Sequence, residues 1–109
     1  MSALPPEKYI EPKDLADANS LPLAVVIQRG EDIKIYRVES EKTESYFNSF
    51  PSPFLQFEYV DLVSKKFGKE IPKESFLKAA VFPAHTGCDG SGNEFAIYRA
   101  RFEEEDNKS

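Results

Sequence analysis

Sulfur and imidazole are scarce in this chain, with one cysteine, Cys88, and one histidine, His85, among 109 residues. A lone thiol excludes an internal disulfide, and one Cys with one His falls short of the usual ligand set of a zinc site. No apolar run has the length of a signal-peptide h-region or a membrane span. The expectation is a reducing, cytoplasmic location, in which the formal glycosylation acceptor Asn107-Lys108-Ser109 carries no weight. Bases are outnumbered too: 14 Lys and Arg against 19 Asp and Glu give a net charge of −5, which disfavours nucleic acid and anionic lipid as partners. The densest acidic run, Glu103-Glu104-Glu105-Asp106, reads as part of a solvated tail over 103–109 rather than a DNA-mimicking array. Repeats and low-complexity segments are absent.

What is present fits one domain. A chain with 40% hydrophobic residues closes a core at this length without metal or disulfide staples. Residues 1–11, with Pro5-Pro6, read as an extended or mobile arm from which Leu4, Tyr9 and Ile10 can dock, leaving 12–102 as the domain. A short helix is expected from Pro12 to Ala18 and ends at Asn19-Ser20-Leu21-Pro22. Leu23-Ala24-Val25-Val26-Ile27 is continuously apolar, the pattern of a central strand covered on both faces. Arg29-Gly30-Glu31-Asp32 then turns the chain, and Ile33 to Val38 returns as a hairpin.

Ser40 is a candidate N-cap for a short helix through Tyr46 and Phe47 that Pro51 stops. Ser52, Pro53 and Gly68 punctuate a longer one as its cap, first position and left-handed end. Its helical projection sends Leu55, Tyr59, Val60, Leu62, Val63 and Phe67 to the core, with Glu58, Asp61 and Lys65 on the polar stripe. Pro72 suits another helix start, with Phe76, Leu77 and Ala80 on its apolar side. Ala79 to Phe82 fits either helix or strand, Pro83 interrupts it, and Glu94 to Phe102 alternates as a final strand. On that strand Ala96, Tyr98, Ala100 and Phe102 share one face, and Phe95, Ile97, Arg99 and Arg101 the other. The expected fold class is α+β: a small single domain with an antiparallel sheet of three or four strands and two to four helices mainly on one face.

The chemistry-bearing residues concentrate in His85-Thr86-Gly87-Cys88-Asp89-Gly90-Ser91-Gly92-Asn93-Glu94, which reads as a glycine-rich loop. Known site patterns break down on it. A thiolate phosphatase cradle needs an arginine where Glu94 stands, a dinucleotide loop leads into a helix rather than a strand, and a P-loop lysine is missing. Asp89, Ser91 and Asn93 open like an EF-hand, but Glu94 replaces its glycine and Ala100 its bidentate glutamate. A cation site built from Asp89, Asn93 and Glu94 competes with a simple Asx-rich turn. Cys88 as nucleophile with His85 as base and Asp89 as orienting group would make a small enzyme, with the N–H groups of Gly90 to Gly92 as an anion cradle. The spacing permits such a pair without enforcing it.

A second concentration is aromatic: Tyr46, Phe47, Phe50, Phe54, Phe57 and Tyr59. Phe54 and Phe57 fall outside the projected core arc, so they pack against the preceding segment or anchor a partner. The Ile35-Tyr36-Arg37 and Ile97-Tyr98-Arg99 strands resemble base-stacking surfaces only loosely, in an acidic chain. The leading expectation is a non-enzymatic protein-interaction or regulatory module, of inhibitor or accessory-subunit kind. Phe50, Phe54 and Phe57 would anchor another protein, His85, Asp89 and Asn93 would add polar contacts, and no cofactor is needed. The Cys88/His85 enzyme and a cation- or small-ligand-binding module through 85–94 stand as alternatives.

Overall fold

The computed structural model describes residues 5–14, 21–39, 53–88 and 92–102. In chain order these form β1 (Lys8–Tyr9), a 3-10 turn (Pro12–Asp14), β2 (Leu23–Arg29), β3 (Asp32–Val38), α1 (Pro53–Phe67), β4 (Lys69–Ile71), α2 (Lys73–Lys78), β5 (Ala80–Cys88) and β6 (Asn93–Arg101). The helix expected from Ser40 through Phe47, the anchor Phe50, the residues Asp89, Gly90 and Ser91, and the acidic tail lie outside the described residues, as do the cap Ser52 and residues 15–20, which include most of the helix expected from Pro12 to Ala18. No helix among the described residues is long and apolar enough to cross a membrane.

The strands form one six-stranded sheet in the order β1-β5-β6-β2-β3-β4. β1 runs parallel to β5, and every other neighbouring pair is antiparallel. The expected sheet of three or four antiparallel strands is thereby corrected to six mixed strands. Its two- and three-residue outer strands, β1 and β4, are too short to show an alternating pattern, and the third addition, β5, carries a proline. Pro83 does not interrupt β5. It adjoins a register shift between Pro83 and His85, and β1 pairs only with Ala80 and Val81. A bulge on a strand that has become an edge, among the described residues, is where a sheet tolerates a missing N–H. The β2–β3 hairpin forms as expected, with Gly30 at φ +60° and Glu31 at negative φ, the signs of a type II′ turn.

Every residue from Leu23 to Ile27 is buried. Leu23, Val25 and Ile27 join Tyr36, Val38, Phe95 and Ile97 under α1, while Ala24 and Val26 join Ile35, Ala96, Tyr98 and Ala100 under Phe76 of α2. The helices expected mainly on one face are therefore two α-helices on opposite faces, among the described residues. A central strand apolar at every position needs both faces covered. Alanines at 24, 79, 96 and 100 thin the second layer, so that a six-residue helix suffices to cover it.

α1 is rotated from its expected setting. Its buried positions are Phe57, Val60, Asp61, Val63 and Ser64, whereas Leu62 is 62% and Phe67 38% exposed. Phe57, Val60, Asp61 and Ser64 follow the i, i+3, i+4, i+7 stripe of a packed helix. A projection that counts only apolar residues misses it because Asp61 is buried against a cation from the sheet, Arg29 Nη2 at 2.7 Å. Gly68 also departs from expectation: it does not adopt positive φ. A Cβ there would meet the Ser64 carbonyl at 2.6 Å and Val38 Cγ2 at 2.7 Å, so glycine is required by close approach of the helix end to β3.

Candidate functional site

β5 and β6 form a hairpin whose strands bring the chemistry-bearing residues together in two groups, one on each face. Residues paired across antiparallel strands share a face, and consecutive residues alternate between faces. His85 stands opposite Ile97 and Gly87 opposite Phe95, on the α1 face; Thr86 stands opposite Ala96 and Cys88 opposite Glu94, on the α2 face. The segment expected as a loop from His85 to Glu94 is thus strand through Cys88 and strand again from Asn93.

On the α1 face the His85 and Phe95 ring centroids lie 5.7 Å apart. Gln56 Nε2 of α1 sits 2.9 Å from His85 Nε2. Gly87 completes the cluster, since its missing Cβ is where the Phe95 ring and the Gln56 side chain cross. α1, through Gln56, and the glycine-bearing hairpin are therefore neighbours. Phe57 is placed in the core at 1% exposure, with the Arg29 guanidinium 4.8 Å from its ring centroid, and it offers no surface to a partner. Phe54 lies on α1.

Arg29 links the end of β2 to α1 by contacting Asp61 at 2.7 Å and Glu58 at 3.4 Å, while Lys65 approaches Asp61 at 3.2 Å. The hydrogen bond with Asp61 is the largest effect holding the Arg29 guanidinium more firmly protonated than a free one. This cluster docks a helix.

On the α2 face, Thr86, Cys88, Glu94, Ala96 and Tyr98 floor a groove of about 560 Å³, closed on its other side by Pro5, Pro6 and Tyr9 of the N-terminal arm. The arm is held by β1 pairing and by the Ile10 N–H, which donates to the Val81 carbonyl at 2.8 Å. Ile10 is buried, whereas Tyr9 is 60% exposed. Burial, reinforced by Tyr9, pushes the Tyr98 phenol above its ordinary range. The groove combines two phenols, two prolines, a thiol, a hydroxyl and one carboxylate, with no Lys, Arg or His among its described lining residues. Sequence reasoning placed Tyr98 on its correct face and let Tyr9 dock from the arm, but it missed Thr86 and the groove, because the arm meets β5 across most of the chain.

Cys88 and His85 are not brought together. The thiol is exposed on the groove side and the imidazole lies, also exposed, beside Gln56 of α1 on the other, so the sheet stands between the nucleophile and base. Asn93 and Glu94, consecutive on β6, likewise point to opposite faces. Among the described residues no three His, Cys, Asp or Glu side chains converge on a metal position. A smaller cavity of about 350 Å³ between β3, β4 and the start of α2 carries Glu31, Lys34, Glu70 and Lys73, whose charges balance. No family model matches the chain, and no curated protein or solved structure is significantly similar to it.

Proposed function

We propose that this protein is a non-enzymatic protein-interaction module, of inhibitor or accessory-subunit kind, that takes an extended segment of another protein into the groove between its N-terminal arm and the β5–β6 hairpin. The carrying observation is the groove itself, open to solvent, with Tyr9 60% exposed at its wall and Tyr98 in its floor. Small-molecule sites bury most of their ligand in a concave pocket. An open trough suits a chain laid along it, and tyrosines give large, rigid contact area with a polar tip. The anchor moves accordingly from Phe57, which the core holds, to the exposed Tyr9, with Tyr98 in the floor of the groove. The separation of Cys88 from His85 across the sheet weighs against a thiol enzyme. A reducing, cytoplasmic setting belongs to the same proposal and rests on the lone exposed Cys88.

The test is a random-peptide display selection on the full-length chain, followed by titration of enriched peptides against wild type, Tyr9→Ala and Thr86→Arg. Both positions are exposed, so the variants keep the fold. The expected outcome is peptides whose affinity falls by about tenfold or more on each change. Failure to enrich peptides over an unrelated acidic protein, or affinities that neither variant alters, would overturn the reading.

A further inference from the structure

We infer that the segment taken by the groove is proline-rich and carries a basic residue, an inference that rests on the groove being the docking surface. The first argument is shape and chemistry. A polyproline II segment has no internal hydrogen bonds, leaves its carbonyls free to accept from phenol hydroxyls, and docks its rings on aromatic-lined grooves. Tyr9, 60% exposed, offers a ring face and a hydroxyl above the largely buried Tyr98 of the floor, and the chain's own Pro5 and Pro6 already lie against this surface. Such a segment is also stiff before binding, which reduces the ordering entropy that an open groove must offset.

The second argument is charge. Glu94 is the one formally charged residue among the described lining residues, in a chain of net charge −5. A carboxylate has about four acceptor positions, so Glu94 can receive a guanidinium fork in addition to its contacts within the protein. It stands at the Cys88 end of the groove, opposite Cys88 on β5, whereas Tyr98 lies four pairs further along β6 beside the arm. A ligand therefore meets aromatic surface first and the carboxylate at one end. An acidic segment would place like charge there.

Fluorescence anisotropy on the full-length chain tests this with two labelled probes, hexaproline flanked by arginines and hexaproline flanked by glutamates. The arginine peptide is expected to bind about tenfold more tightly. That preference should vanish in Glu94→Gln and persist in Glu58→Gln, which removes an exposed carboxylate on the opposite face. Tyr9→Ala should weaken both probes. Binding of neither probe, or an arginine preference that survives Glu94→Gln, overturns the inference. If peptides of other composition are selected and respond to Tyr9→Ala and Thr86→Arg, the interaction reading stands without this partner class; if nothing is selected, both fall.

Discussion

An added methyl at Gly87 would stand 2.7 Å from Phe95 Cε2 and 2.8 Å from Cζ, distances that carbon atoms do not share. The ring has nowhere to move, because Phe95 is 2% exposed and stacks against His85. Gly87→Ala is therefore an overpacking change and should destabilise the fold by about 1–3 kcal/mol. Gly30→Ala is the contrasting case, with nothing within 4 Å of the new methyl but a backbone at φ +60°. Its penalty is purely conformational, about 1 kcal/mol. Chemical denaturation separates the two mechanisms when Phe95→Leu is added: the smaller side chain should recover part of the Gly87→Ala loss and none of the Gly30→Ala loss. Equal responses of the two glycine variants to Phe95→Leu would rule out the steric account. Both glycines look alike in sequence, since a composition reading assigns each to a turn. Only the cross-strand pairing of Gly87 with Phe95 distinguishes them.

The docking of α1 depends on a polar contact that no local pattern announces. Asp61 has the favourable spacing to Lys65, which invites its assignment to a solvated stripe, yet its side chain is 8% exposed because Arg29 reaches it from β2. The β2–β3 hairpin and the two faces of β6 were legible, since alternation and a glycine turn are encoded within a few residues. The setting of α1, the short outer strands and the groove were not, because each is fixed by partners distant in sequence: Arg29 with Asp61, Gly68 with Val38, Tyr9 with Val81. Removing the cation tests the argument for α1. Arg29→Met leaves a nearly buried carboxylate with Lys65 as its remaining ion-pair partner among the described residues, and should destabilise the fold by about 1–2 kcal/mol after allowance for the half-exposed guanidinium. Arg29→Met with Asp61→Leu should regain most of that loss, because an apolar pair carries no desolvation penalty. Urea melts of both proteins decide it; a double variant as unstable as the sum of its single changes would show that Asp61 is not buried through Arg29.

Among the described residues the molecule is a sheet with an apolar layer on each face, and each layer holds one buried tyrosine: Tyr36 at 6% exposure under α1 and Tyr98 at 8% beside α2. Burial is the leading cause that pushes both phenols above their ordinary value of 10.0, with Glu70 adding to Tyr36 and Tyr9 to Tyr98. Unfolding returns both to water, where they ionise near pH 10. Between that pH and the raised values the unfolded chain has released phenolic protons that the folded protein keeps, so folding stability falls as pH rises. The contribution is complete below pH 10 and is lost through the alkaline range. Lysines titrate in the same window, which makes the variants essential: Tyr36→Phe/Tyr98→Phe should flatten the alkaline decline in stability measured by urea melts, relative to wild type at each pH. Tyr98 also floors the groove, so its ultraviolet phenolate titration in the folded protein reads the docking surface directly. A bound segment that excludes water should raise it further while leaving Tyr36, on the other face, unchanged; a ligand-induced shift equal in wild type and Tyr98→Phe would place the ligand elsewhere.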